Sequence, residues 1–155
     1  MKKSDKWISL MIAMILAIGL SGAVDAQTKE EKDAMLTRHH QNIMKHAMSI
    51  ASGEAKTIDD KIKHAKEATI ELENAKILHE EMKKEKHEKS RAAREIHHEE
   101  IKRLHHYAAI EAKELREELN KQKPNKDKII EHARKLHDNI EKAEKEHKAL
   151  KEITK

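Results

Sequence analysis

Between Ile58 and Gln122 the chain contains neither glycine nor proline, so over that whole length nothing favours a left-handed backbone or removes a main-chain donor. The residues that fill it are mostly Ala, Glu, Lys and Leu, all strong helix formers. Punctuation is sparse elsewhere too. Ser52-Gly53 reads as a helix stop, and Thr57 followed by Asp59 and Asp60 as a helix start. Lys123-Pro124-Asn125 ends one helix and opens the next, with Asn125 as N-cap and Asp127 in the first turn. These signals predict helices over about 28–52, 57–86, 90–122 and 125–153. The middle boundary is the least marked: from Lys83 to Glu95 the only apolar residues are two alanines, which places a turn near 85–90.

The chain also repeats itself. A shift of 68 residues lays Thr57 on Asn125, Asp59 on Asp127, Ile62 on Ile130, His64-Ala65 on His132-Ala133, Leu72 on Ile140, Ala75 on Ala143 and His79 on His147. A shift of 58 lays "HHQNIMK" (His39 to Lys45) on "HHEEIKR" (His97 to Arg103). The first helix therefore resembles the third and the second the fourth, as a duplicated helical hairpin would leave them. Two such hairpins joined by short loops predict an all-α fold, a four-helix up-down bundle forming a single domain over residues 27–155.

Residues 1–26 read as a secretion signal. Lys2, Lys3 and Lys6 precede an almost unbroken apolar run from Trp7 to Leu20, and Val24-Asp25-Ala26 offers a cleavage site before Gln27. Export to the periplasm is the expectation, with no stable membrane insertion once the signal is removed. There is no cysteine, so neither disulfides nor thiolate ligands are available. The 33 basic and 29 acidic residues are interspersed along the chain, which describes a salt-bridged helix surface rather than a nucleic-acid stripe. Aromatic residues make up 1% of the sequence, too few for base stacking. No nucleophile elbow, phosphate loop or haem-attachment motif is present, so the expectation is a binding protein and not an enzyme.

The chemistry lies in the 13 histidines. At a period of 3.6 the buried stripes are Leu36, Ile43, Ala47 and Ile50; then Ile58, Ile62, Ala65, Leu72, Ala75 and Met82; then Ile101, Leu104, Ala108, Leu115 and Leu119; then Ile129, Ala133, Leu136, Ile140, Ala143 and Leu150. His40, His79, His97 and His147 fall on these stripes, one per helix, and each needs a hydrogen-bond partner or a metal if buried. No two histidines stand three or four residues apart, so metal sites must form between helices. Folding the chain at its three turns sets His46, His64 and His132 at one end of the bundle, and His79, His97, His98 and His147 at the other. Convergent imidazoles suit Zn(II), Cu(II) or Ni(II). In the first helix His39 and His40 are spaced i,i+4 with Met35 and Met44, and thioether beside imidazole favours copper; gap filling in the core is the alternative for Met44 and Met48. Glu95-x-x-His98 and Glu144-x-x-His147 match a di-iron carboxylate motif, but the stripes of the first two helices lack the inward Glu that motif requires.

"TIDDKIKHAKEATIELENAK" and "NKDKIIEHARKLHDNIEKAE" resemble the small metal-binding protein family of bacterial periplasms, with His64-Ala65-Lys66 and His132-Ala133-Arg134 following Asp59 and Asp127. The resemblance covers about forty residues. It implies an exported, cysteine-free four-helix protein that binds copper and other divalent metals. The chain departs from that pattern in its longer helices, fewer histidines per repeat and lack of a Gly-rich loop between helices two and three. An alternative is a periplasmic helical chaperone or stress-response protein of the Spy/CpxP type, whose L-T-x-x-Q motif is approached, one residue too long, by Leu36 to Gln41.

Overall fold

The computed structural model describes residues 27–84 and 91–153; the secretion signal read in residues 1–26 and the turn placed near 85–90 lie outside them. Four helices, α1 (Lys29–Ala51), α2 (Ile58–Lys83), α3 (Arg91–Leu119) and α4 (Lys126–Ile153), carry the fold, with no strand among the described residues. Each packs on two neighbours, α1 and α3 both against α2 and α4, which closes the four-helix bundle expected from the repeat. No described helix is long and apolar enough to cross a membrane.

The helix starts are set by the residues singled out for that role. The Thr28 hydroxyl accepts from the Glu31 amide while the Glu31 carboxylate accepts from the Thr28 amide, and Thr57 and Asp60 do the same for α2. Asn125 Oδ1 accepts from the amides of Asp127 and Lys128 at 2.9 and 3.1 Å. Each device satisfies main-chain donors that a helix leaves open and brings an acidic group to the positive end of the dipole. Between α1 and α2, Gly53 takes φ 80°, a conformation that costs other residues dearly. Helix α3 stops at Leu119, short of the expected 122. There the Asn120 side chain donates to the Arg116 carbonyl and the buried Glu118 carboxylate accepts from the Asn125 amide across the turn.

The predicted stripes form the core with two exceptions. Ile58, the first residue of α2, is 39% exposed, and Ile62 is half buried against the edge of the core. Ala51, Ala55, Ala68, Leu78 and Ala112 join the buried set. Ten of the 24 buried apolar residues are alanine, so the helices approach closely while burying little area per residue. The exposed faces carry single-helix ion pairs such as Lys76 to Glu73 and Lys135 to Glu131, which solvent screens and which add little to stability.

With so few large side chains at the centre, those present matter more. Ile43→Ala is expected to cost about 2–5 kcal/mol, while Ile77→Ala on the outer face of α2, where Ile77 is 60% exposed, changes stability by less than about 0.5 kcal/mol. Urea unfolding followed by circular dichroism measures both.

Candidate metal centres

Two kinds of histidine site result from this packing. The first lies along the seams between helices of one hairpin. His46 on α1 and His64 on α2 bring their Nδ1 atoms to 2.9 Å, and the Glu67 carboxylate lies 3.3 Å from His46 Nδ1 and 3.8 Å from His64 Nδ1. A point about 2.0 Å from all three atoms exists within that triangle, which is the bond length Zn(II) makes to imidazole nitrogen and carboxylate oxygen. All three side chains are half buried or nearly so, open to solvent on one side. Burial lowers the pKa of His46 against the opposing pull of Glu67, so this ligand protonates at lower pH than a free imidazole.

The matching seam between α3 and α4 gathers His132, whose Nδ1 lies 2.8 Å from Glu111 and 3.3 Å from Glu114. The expected convergence of His46, His64 and His132 is therefore split. His64 and His132 are repeat equivalents, and the repeat puts them in equivalent places on the two hairpins, on opposite sides of the bundle. A third group, His137, Asp138 and Glu141, lies on α4 alone. His39 lies apart from His40, half buried between α1 and α2 with its Nδ1 2.5 Å from Glu71, which also accepts from the Asn42 side-chain amide at 3.1 Å.

The second kind of site lies inside the bundle. His40, His79, His98, His105 and His147 are all buried, together with Asp33, Arg94 and Glu144. His40 Nδ1 lies 2.8 Å from Glu144 and its Nε2 2.8 Å from His105 Nε2. His79 Nε2 and His98 Nδ1 approach to 2.9 Å. The ring of His105 stands edge-on to that of His79 with centroids 5.7 Å apart, and the ring of His147 edge-on to His40 at 6.4 Å. His147 Nε2 is 3.4 Å from the Asp33 carbonyl and 3.5 Å from its carboxylate.

Here the expectation that His97 belongs to the buried stripe is corrected. Counting back from Ile101 by three or four residues reaches His98 or His97, and the helix turns His98 inward. His97 sits on the flank facing α4, where its Nδ1 meets Glu146 at 2.7 Å. The shift-58 repeat already pairs buried His40 with His98. His105, Asp33 and Glu144 were not read as site residues. His105 follows His98 by seven residues, two turns along the same face, and Asp33 precedes Leu36 by three; both spacings were visible in the sequence. Met44 packs against the apolar core, while Met35 and Met48 are exposed.

Burial disfavours the charged form of His79, His98, His105 and His147. It pushes His79 down to about 3, with His98 and His147 adding to the effect, and His98 down to about 4, helped by Arg94. Burial drives His105 well below its ordinary value, and lowers His147 despite the facing Asp33 and Glu144 carboxylates. For Glu144 burial acts the other way, but the hydrogen bond and charge of His40 outweigh it and hold the carboxyl below its usual range. An ionised Glu144 can only accept, so the His40 Nδ1–H donates to it.

The unfolded chain, with histidines titrating near 6.5, binds more protons than the folded chain once pH drops below that value. Stability is therefore complete above pH ~6.5 and falls as pH is lowered toward 4. In metal-free protein the urea midpoint is expected to be flat from pH 7 to 8 and to decline steadily between 6.5 and 4; a midpoint unchanged over that lower range contradicts the burial of neutral imidazoles.

Compared with protein-family models, curated proteins and solved structures, the chain matches none, so the assignment of a role rests on these side chains.

Proposed function

We propose that the protein binds divalent transition-metal ions through histidine and carboxylate donors and buffers them outside the cytoplasm. The observation that carries this reading is the His46, His64 and Glu67 triangle, whose edges of 2.9, 3.3 and 3.8 Å leave one point at metal-bond distance from all three donors. Two imidazoles and a carboxylate suit Zn(II), Cu(II) and Ni(II), and disfavour Mg(II) or Ca(II), which prefer all-oxygen shells. Copper is the first choice on the resemblance to the small metal-binding proteins. Export is supported by the signal-like start of the chain. With three protein donors and an open side, the seam is accessible for loading and release, as a buffer requires.

The test is a calorimetric titration with Cu(II), Zn(II) and Ni(II). Micromolar or tighter binding with a raised melting temperature is expected, and His46→Ala with His64→Ala should lower affinity for the most accessible ion at least tenfold. Affinity should also weaken below pH ~6 as the ligands protonate. Binding no better than that of a scrambled peptide of equal histidine content would falsify the proposal. Suppression of client aggregation by the same metal-free protein would then put the chaperone reading first.

A further inference from the structure

We propose that the seam between α3 and α4 is a second, independent metal site, in which His132, Glu111 and Glu114 hold a harder divalent ion, Mn(II) or Zn(II), than the His46 seam favours. This deepens the metal-binding reading and rests on it.

The first argument is geometric. Glu111 and Glu114 stand one turn apart on α3, on one face of the helix, and both reach the same imidazole across the seam. His132 Nδ1 lies 2.8 Å from Glu111 and 3.3 Å from Glu114, and the three donor atoms all fall within 4.8 Å of one another. Adjacent ligands that share an ion through bonds of about 2.0–2.2 Å stand about 2.8–3.6 Å apart, so both edges at His132 suit such an ion. The His132 and Glu111 side chains are largely buried, whereas Glu114 is 48% exposed and leaves the seam open to an incoming ion.

The second argument is charge. Two carboxylates face one imidazole here, so a divalent ion neutralises the pair, whereas the first seam supplies one carboxylate against two imidazoles. On α4 the cation beside the site is Lys135, one turn beyond His132, and it is already paired with Glu131 on its own helix at 2.6 Å. Its pKa is raised by that bond and further by the charges of Glu111 and Glu114. The negative field of the two carboxylates therefore reaches beyond the seam that holds them.

The third argument is how this seam departs from its repeat. The shift of 68 keeps the histidine, laying His64 on His132, but lays Glu67 on Lys135, and the shift of 58 lays His46 on Leu104. Two of the first site's three donors are thus lost in the copy. The donors that replace them, Glu111 and Glu114, stand where the first hairpin has Gly53 and Lys56, so the second seam has its own ligand set and not an inherited one. Trading an imidazole for a carboxylate moves the preference from copper and nickel toward manganese, while the remaining imidazole keeps zinc favourable and disfavours all-oxygen calcium or magnesium. Cu(II) outranks Mn(II) at any such site, so the difference lies in a smaller ratio of the two at the second seam.

The test is a titration of the protein carrying His46→Ala, His64→Ala and His137→Ala, which disable the first seam and the group on α4 alone. Mn(II) is counted by loss of the electron paramagnetic resonance signal of the free ion, and Zn(II) by calorimetry. One equivalent of either ion should bind, with Zn(II) displacing Mn(II). Adding Glu111→Gln or His132→Ala should weaken both at least about tenfold, since even groups behind a metal ligand typically count for that much. In His132→Ala alone, Cu(II) binding at the first seam should persist while Mn(II) binding is lost. If the parent binds Cu(II) but the triple variant binds neither Mn(II) nor Zn(II), the second site is wrong while the first stands; if the parent binds no metal, both readings fall. Binding that Glu111→Gln and His132→Ala leave unchanged, in variants whose circular dichroism shows a folded bundle, also overturns the assignment, because scattered surface carboxylates then account for the ions.

Discussion

Close approach of helices over alanine is the constraint from which the rest of this structure follows. Ala47, Ala65, Ala68, Ala75, Ala108, Ala112, Ala133 and Ala143 are all buried, and a methyl group fills little of the space between helices. The larger residues must then fill the centre, and at several levels of the bundle they are histidines rather than leucines. An imidazole is about as large as a leucine side chain but carries two polar nitrogens, so packing it in the core imposes hydrogen-bonding demands that leucine does not. The pairing of His40 with Glu144 and His105, and of His79 with His98, answers part of that demand. The nitrogens left over show that the bundle does not answer it all.

Much of the architecture was legible because its signals are local. Thr28, Thr57 and Asn125 announce helix starts through short-range hydrogen bonds, Gly53 marks a stop, and a 3.6-residue stripe needs no knowledge of the partner helix. The sites were less legible because they depend on how one helix is rotated and shifted against another. Whether His97 or His98 points inward turns on about 100° of helix rotation, which the apolar stripe of α3 does not settle. Similarly, His64 and His132 share a level but face different seams, and level alone was read from the sequence. Glu144 was weighed only as part of an iron motif, and its role beside His40 emerges only once α1 and α4 are set side by side.

The repeat explains both the symmetry of the cluster and where that symmetry fails. The shift of 58 carries His40 to His98 and the shift of 68 carries His79 to His147, so the α1–α4 pair His40 and His147 corresponds to the α3–α2 pair His98 and His79. Two equivalent half-sites would be the simplest outcome of a duplication. The flanking residues have diverged instead. His105 stands where the first hairpin has Ala47, Glu144 where it has Lys76, and Arg94 in the second hairpin where the first has Leu36. One half therefore gained a third imidazole and a carboxylate, while the other gained a guanidinium.

This divergence gives the two halves different chemistry from the same scaffold. Glu144 is buried beside His40 and Asp33 beside His147, while Arg94 acts on His98 and lines the same pocket as Asp33. The half facing Arg94 is then suited to a structural role, as a neutral histidine pair packed between α2 and α3. The seam at His46 and His64 differs from both, since its donors are partly solvated and ion exchange there requires no opening of the core.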